Sequence, residues 1–375
     1  ARDRPRDEQT WVDAARAMAR RANLGPIAYA TLDVNVAGLR MDEGQLDEAL
    51  ELARSALATL KDALDDDDPR LLQAYSTLAM VLARRHELAE SRSLFEQALA
   101  VAEAQGEGHP EVARTLVNLA VVQQQMGETE AAEVSLERAL PVFEAAYGGE
   151  HPHVASVLNN LGGLQYETGE YEAARATHER ALAVRLALYG ENHASVAQTY
   201  HNLANAYVGL HDDAKALELL QKSLAIREAA LGPDHPVIAS TLANEANSLV
   251  RLDRGEEALP LLDRAIAILE KVHGPDNIAV AYPLTARGEA LVALDRNREA
   301  IAPLERALVL REHDANVDPK LTGATRFTLA RALVASGGDE RRARALAVLA
   351  LADFRSATTT THDDLKRIEA WLAEH

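Results

Sequence analysis

Four histidines stand 42 residues apart: His109, His151, His193 and His235. Proline follows three of them and Ala194 the fourth, and one further step reaches Asn277-Ile278. Histidine is a common metal ligand and general base. A tetrahedral ion, however, needs its ligands at one point. Residues that occur once per repeat lie along one edge of a stack and do not converge, so their expected role is local turn structure. Asp65 to Asp68 form a second candidate, a run of four acids before Pro69. Negative charge ahead of a helix suits the helix dipole, and the run reads as a helix start rather than a cation site. The chain has no cysteine, which excludes thiolate chemistry and a disulfide framework. Gly-rich phosphate loops, Gly-x-Ser-x-Gly and His-Glu-x-x-His do not occur in it. No catalytic activity, cofactor or metal is expected.

A second register carries amides. Asn118, Asn160, Asn202 and Asn244 recur at the same step, and Asn35 holds the equivalent place earlier. Asparagine is a middling to poor helix former, so its repetition inside helices needs another cause. An amide both donates and accepts. It can hold the N–H and C=O of an extended peptide without reading side chains. The same amides could instead tie one repeat to the next. Four such contacts supply about 2–6 kcal/mol before ordering costs. Micromolar binding needs about 8 kcal/mol, so side-chain pockets or charge must add to them.

Asn159 and His201 flank this ladder. Arg114, Ser156, Gln198 and Ser240 lie about one turn before it. Gly163, Asn205 and Asn247 lie about one turn after, followed by Gln125, Tyr166 and Arg251. The lining is polar and mostly uncharged. Arg84, Arg114 and Arg251 are far apart in repeat number, so capture of a C-terminal carboxylate is not expected.

Helices must position these residues. Val112, Leu116, Leu119, Ala120 and Gln123 fall at helical spacing on one face. Gly127 interrupts them. Ala132, Leu136, Ala139, Leu140 and Phe143 form a second face, which Gly148-Gly149 ends. No stretch alternates with period two. Ala132, Ala174, Ala216, Ala258 and Ala300 share one register, and Ala139, Ala181, Ala265 and Ala307, with Ser223, share another. Alanine at both lets helices approach closely and explains an aromatic content of only 4%. One helix pair cannot bury its own apolar face, so units must stack. Eight are expected, near 26–66, 69–107, 110–148, 152–190, 194–232, 236–274, 278–316 and 319–356. A capping helix is expected within 1–25, with Trp11, Ala14, Ala15 and Met18 on its apolar side. Another is expected within 357–375, with Leu365, Ile368 and Leu372, after a link at Thr358 to Thr361.

The segment Tyr200-His201-Asn202-Leu203-Ala204-Asn205-Ala206-Tyr207, with Leu231-Gly232-Pro233-Asp234-His235-Pro236, resembles the tetratricopeptide repeat in the long form of kinesin light chains. The likeness is strongest over 110–316. It departs where Ala286 replaces the central Asn and where Pro is missing from the usual end of the second helix. The resemblance implies an all-α, right-handed superhelix whose concave groove is lined by first helices, with the Asn register gripping ligand backbone. Ala281-Tyr282-Pro283-Leu284, Thr325-Arg326-Phe327 and Arg341-Arg342-Ala343-Arg344-Ala345 also resemble the repeat arm of large bacterial serine/threonine kinases, although no kinase motif is present.

Length and charge complete the reading. A chain of 375 residues would ordinarily suggest two or three domains. The repeat replaces these with one stack over 26–356. The longest clean apolar run, Ala345 to Ala352, has 8 residues, against about 18 for a membrane span. A net charge of −19 argues against nucleic acid. Residues 1–22 hold six Arg against four acids, 320–355 hold seven basic residues against three acids, and 23–319 carry a net −23. Such a body would attract a neutral to basic protein or peptide segment. End-to-body contact with a second copy is the alternative. The absent cysteines and signal peptide point to the cytoplasm, and the start at Ala1 without Met suggests a piece of a longer protein.

Overall fold

The computed structural model describes residues 12, 14, 17–19, 21–314, 317–357 and 362–375. Its helices come in pairs. The first four pairs are α1 (Pro26–Asp42) with α2 (Leu46–Ala63), α3 (Pro69–Arg84) with α4 (Leu88–Ala104), α5 (Pro110–Gln125) with α6 (Thr129–Tyr147), and α7 (Pro152–Glu167) with α8 (Tyr171–Tyr189). The next are α9 (Ala194–Gly209) with α10 (Asp213–Leu231), and α11 (Pro236–Arg251) with α12 (Gly255–His273). A short 3-10 turn (Ile278–Val280) precedes α13 (Ala281–Ala293) and α14 (Asn297–Glu312). The last pair is α15 (Pro319–Ala335) with α16 (Glu340–Ser356), and α17 (His362–Glu374) follows. The eight pairs coincide with the eight units read from the sequence. The described residues contain no strand.

Two registers set where helices start and turn. At seven of the eight first helices, the residue ahead of the helix, or ahead of the 3-10 turn that opens α13, accepts a hydrogen bond from the backbone N–H two residues on; Gly25, ahead of α1, has no side chain to do so. His109, His151, His193 and His235 do so through Nδ1, at 3.2–3.3 Å. Asp68, Asn277 and Asp318 do so through a side-chain oxygen, at 2.8–3.0 Å. These are N-caps, which satisfy one of the donors a helix start leaves unpaired. Between the helices of each pair the chain turns through one left-handed residue: Gly44, His86, Gly127, Gly169, His211, Asp253, Asp295 and Gly337, with φ from 58° to 84°. Glycine takes this conformation freely, and Asp and His pay a modest steric cost for it.

The helices divide into two compact units, residues 1–188 and 189–375. In the first, Leu71, Leu82, Phe95, Leu116, Leu136 and Leu158 form a buried centre. In the second, Leu249, Leu262, Leu291, Leu304 and Phe354 do the same for their part. Alanines of both small-residue registers are fully buried where helices cross. Two serines stand in these registers, and each finds an acceptor on the facing first helix: Ser91 Oγ donates to the Ala79 carbonyl and Ser223 Oγ to the Ala197 carbonyl, both at 2.7 Å. Helix α17 packs on the second unit through fully buried Ile368, with Leu365, Trp371 and Leu372 around it. Near the start, Val12 and Ala19 are buried, while Met18 is 62% exposed, so Met18 does not lie on the apolar side expected for it. Trp11, Ala15 and the link Thr358 to Thr361 lie outside the described residues.

A further register sets an acid before an arginine, in Glu137-Arg138, Glu179-Arg180, Asp263-Arg264 and Glu305-Arg306. Arg138, Arg180, Arg264 and Arg306 each reach back to an acid on the preceding second helix, respectively Glu103, Glu144, Glu228 and Glu270. These arginines are already engaged and form no free basic strip. Exposed pairs of this kind contribute about 0–1 kcal/mol each.

One crossing departs from the pattern. His178 stands where Leu136 and Leu220 stand in the neighbouring pairs, and it is 1% exposed. Its ring fills the space above Gly162, where a Cβ would come within 2.7–2.9 Å of ring atoms. Burial, aided by the Arg185 charge, pulls the imidazole down to about 4, and its Nδ1 has no partner. Gly162→Ala is expected to cost about 1–3 kcal/mol, a loss that His178→Leu relieves in the double variant, measured by denaturation midpoints. The imidazole is neutral in both states above its unfolded value of 6.5. As pH falls from there toward 4 the unfolded chain takes up a proton that the folded chain refuses. The native state should lose about 3 kcal/mol over that interval, and His178→Leu should lose correspondingly less between pH 7 and 4.5. The caps make a separate forecast: His235→Ala lowers stability by about 1 kcal/mol and His235→Asn largely preserves it, again by denaturation midpoint.

Candidate functional site

The amide register lies on the first helices, and the structure divides it. Asn118 on α5 and Asn160 on α7 are half-buried, and neither side chain makes a hydrogen bond or ion pair among the described residues. Asn244 on α11 is fully occupied. Its Nδ2 donates to Asn205 Oδ1 at 3.3 Å and lies 3.2 Å from His201 Nε2, and its Oδ1 accepts from Tyr282 Oη at 2.7 Å. Asn247 Nδ2 donates to the same Tyr282 oxygen at 3.0 Å. In the seventh pair, where Ala286 replaces the Asn, Tyr282 one turn earlier supplies the missing polar atom. Asn202 is half-buried and engaged. Near the start, Asn35 Oδ1 accepts from Gln73 Nε2 at 2.7 Å, joining α1 to α3. The register therefore ties repeats together at Asn35 and Asn244, and leaves amides open at Asn118 and Asn160.

The flanking residues are placed as follows. Asn159 is 9% exposed and turned toward α8, where it accepts from Arg185 Nη1 at 3.4 Å. It belongs to the interior, which corrects its expected place on the binding surface. The cause is the one-residue offset from Asn160, which rotates a helical side chain about 100°. His201 lies 3.4 Å from Arg227 Nη1, and burial with that charge pulls it down to about 4, so it brings no positive charge near neutral pH. Arg114 is exposed and pairs with Glu111. Arg251 pairs with Asp213 at 2.6 Å. Both cations thus already have carboxylate partners. Tyr166 is half-buried and tilted against Tyr171, with ring centroids 5.6 Å apart. Ser240 Oγ donates back to the Val237 carbonyl at 3.0 Å.

Two features escaped the sequence reading. In the first unit, Met41, Met80, Phe95 and Val121, with Asn118 and Gln125, line an apolar pocket of about 210 Å³. Val121 is 41% exposed there. In the second unit, Glu289 opens to solvent, yet protein surrounds its carboxyl closely enough to raise its pKa. Arg311, Arg367, Arg331 and Arg251 pull it the other way. Val121, Gly163, Asn205, Asn247, Glu289 and Arg331 share one register, three residues after the ladder. That register is the signal that would have led to both features.

The sequence profile of the tetratricopeptide repeat matches residues 28–104, 70–145, 111–187, 153–229, 195–253 and 237–313. The chain is a member of the tetratricopeptide repeat family. Protein KINESIN LIGHT CHAIN-RELATED 3 of Arabidopsis thaliana is 29% identical over 133 residues, 35% of this chain, which spans only 20% of that relative's length. The crystal structure of BtubC (BKLC) from P. vanneervenii is 33% identical, covers 59% of this chain and 88% of its own, and superposes with a TM-score of 0.52. The apo form of RapI, 16% identical, shares the fold over 88% of this chain and 86% of its own, with a TM-score of 0.67. Tetratricopeptide repeats are protein-binding scaffolds, and the repeat architecture here is of that kind. Among its described residues no helix is long and apolar enough to cross a membrane.

The split register is testable by stability alone. Asn244→Ala breaks a polar network and is expected to cost about 1–2 kcal/mol. Asn118→Ala should stay within about 0.5 kcal/mol of wild type. Equal losses at the two positions, by denaturant titration, would refute the division.

Proposed function

We propose that this chain is a non-catalytic scaffold that holds an extended peptide segment against its first helices. Asn118 and Asn160 grip the segment's backbone. The observation that carries this reading is the pair of half-buried amides, in register on successive first helices, with no hydrogen bond or ion pair among the described residues. Water can pair with a half-buried amide, and a peptide bond offers both the donor and the acceptor to replace that water. In the second unit, Asn205, Asn244 and Asn247, with Tyr282, join its first helices to one another.

The segment is neutral to basic. Residues 1–188 hold 18 Lys and Arg against 31 Asp and Glu, a net −13, and residues 189–375 carry −6. Phosphate-rich partners are disfavoured by the same balance. The scaffold works in the cytoplasm. A second reading, the regulatory arm of a larger signalling enzyme, draws on the likeness of 281–345 to kinase repeat arms. The gene upstream of Ala1 decides that.

The test uses peptides selected against the wild-type chain from a random display library. Asn118→Ala combined with Asn160→Ala should weaken their binding about tenfold without lowering the melting temperature. Unchanged affinity together with a clear loss of stability would overturn the reading and make these amides structural.

A further inference from the structure

We propose that the pocket at Met41, Met80 and Phe95 takes one large apolar side chain from a basic peptide, while Asn118 holds the peptide backbone beside it. This rests on the binding reading above and adds what that reading lacks, a source of affinity and of sequence preference.

The size fits. At about 210 Å³ the pocket exceeds the roughly 150 Å³ of an apolar cavity that accommodates benzene. It is larger than a methyl group needs. Two of its walls are methionines, whose flexible thioethers adapt to the outline of a guest. The pocket is also local. Its rim residue Val121 stands in a register that is Gly163, Asn205 and Asn247 in the next three repeats. Periodic packing does not call for an exposed valine there, and an apolar surface left open in a polar row marks a contact. Asn118 lines the same pocket, and its amide has no partner among the described residues.

The charge of the guest follows from the rim. Arg84 is the only cation lining the pocket, and its guanidinium is already committed: it donates to the Met41 carbonyl at 2.9 Å and pairs with Asp42 at 3.0 Å. Asp42 stays 69% exposed. An acidic guest would meet Asp42 and a unit of net charge −13, with no uncommitted cation among the residues that line the pocket. Lysine or arginine flanking the apolar residue meets carboxylates instead.

The probe is a fluorescein-labelled 13-residue peptide of alternating Ser and Lys with Leu at its centre. Counterparts carry Ala at the centre, or Glu in place of every Lys. Binding is read by anisotropy at low salt. The Leu peptide should bind about tenfold tighter than the Ala peptide, and the Glu version should bind more weakly than either. Val121→Asn, which copies Asn205 and Asn247 of the fifth and sixth repeats, should narrow the Leu preference below about threefold with its melting curve unchanged. If Leu and Ala peptides bind equally and Asn118→Ala weakens both, the pocket proposal falls and the backbone grip stands. A tighter Glu peptide overturns the basic guest. If no peptide exceeds a Ser-Gly control, the pocket and the binding reading fall together.

Discussion

The structure depends on how closely its helices can approach. At each crossing a fully buried alanine of the second helix, or a serine whose hydroxyl finds a carbonyl, meets the facing first helix. A larger residue there would push the pair apart, and every later repeat inherits the displacement because each packs only on its neighbours. Two crossings go further and place glycine on the first helix: His178 lies against Gly162 and Leu304 against Gly288, where a Cβ would come within 2.3 Å of the leucine Cγ.

On this frame the polar registers do separate work. From the second pair onward a His, Asp or Asn caps the start of the first helix, the residue between helices turns through the left-handed region, and the outer arginines pair backward to the previous repeat. None of these needs the inner face. That face is therefore free to vary, and it does. It is an open amide and an apolar pocket in the first unit, a closed network around Asn244 and Tyr282 in the second, and a carboxylate among arginines at Glu289.

The frame was legible in the sequence because it is periodic. A 42-residue step, helical spacing of Ala and Leu, and a Gly or Asp in step between them specify helix, turn and stack without alignment. The same step pointed His109, His151, His193 and His235 to local turn structure, since residues on one edge of a stack cannot meet at a metal, and the structure resolves that role as helix capping. The site was legible only as a register. The identity of Asn118 and Asn244 is the same, and so is their place in the repeat. They differ because Tyr282 and His201, at other places in the repeat, reach Asn244, while no partner among the described residues reaches Asn118. Asn159 looked like a neighbour of the ladder in sequence, and helical rotation puts it inside. The pocket was hidden for a related reason. Met41 and Met80 belong to the loosely spaced early repeats, and Val121 is apolar in a row whose other members are mostly polar or small.

The walls of that pocket come from different places along the chain. Met41 sits at the end of α1, Met80 on α3, and Asn118 and Val121 on α5. A chain whose helices contact mainly their sequence neighbours closes short loops and can open from an end without disturbing its middle. Fraying of the first helix pair would remove the Met41 wall and leave Asn118 and Asn160 in place. Selectivity for a side chain and grip on a backbone are then governed by separate opening equilibria. A partner would lose its sequence preference before it lost its hold.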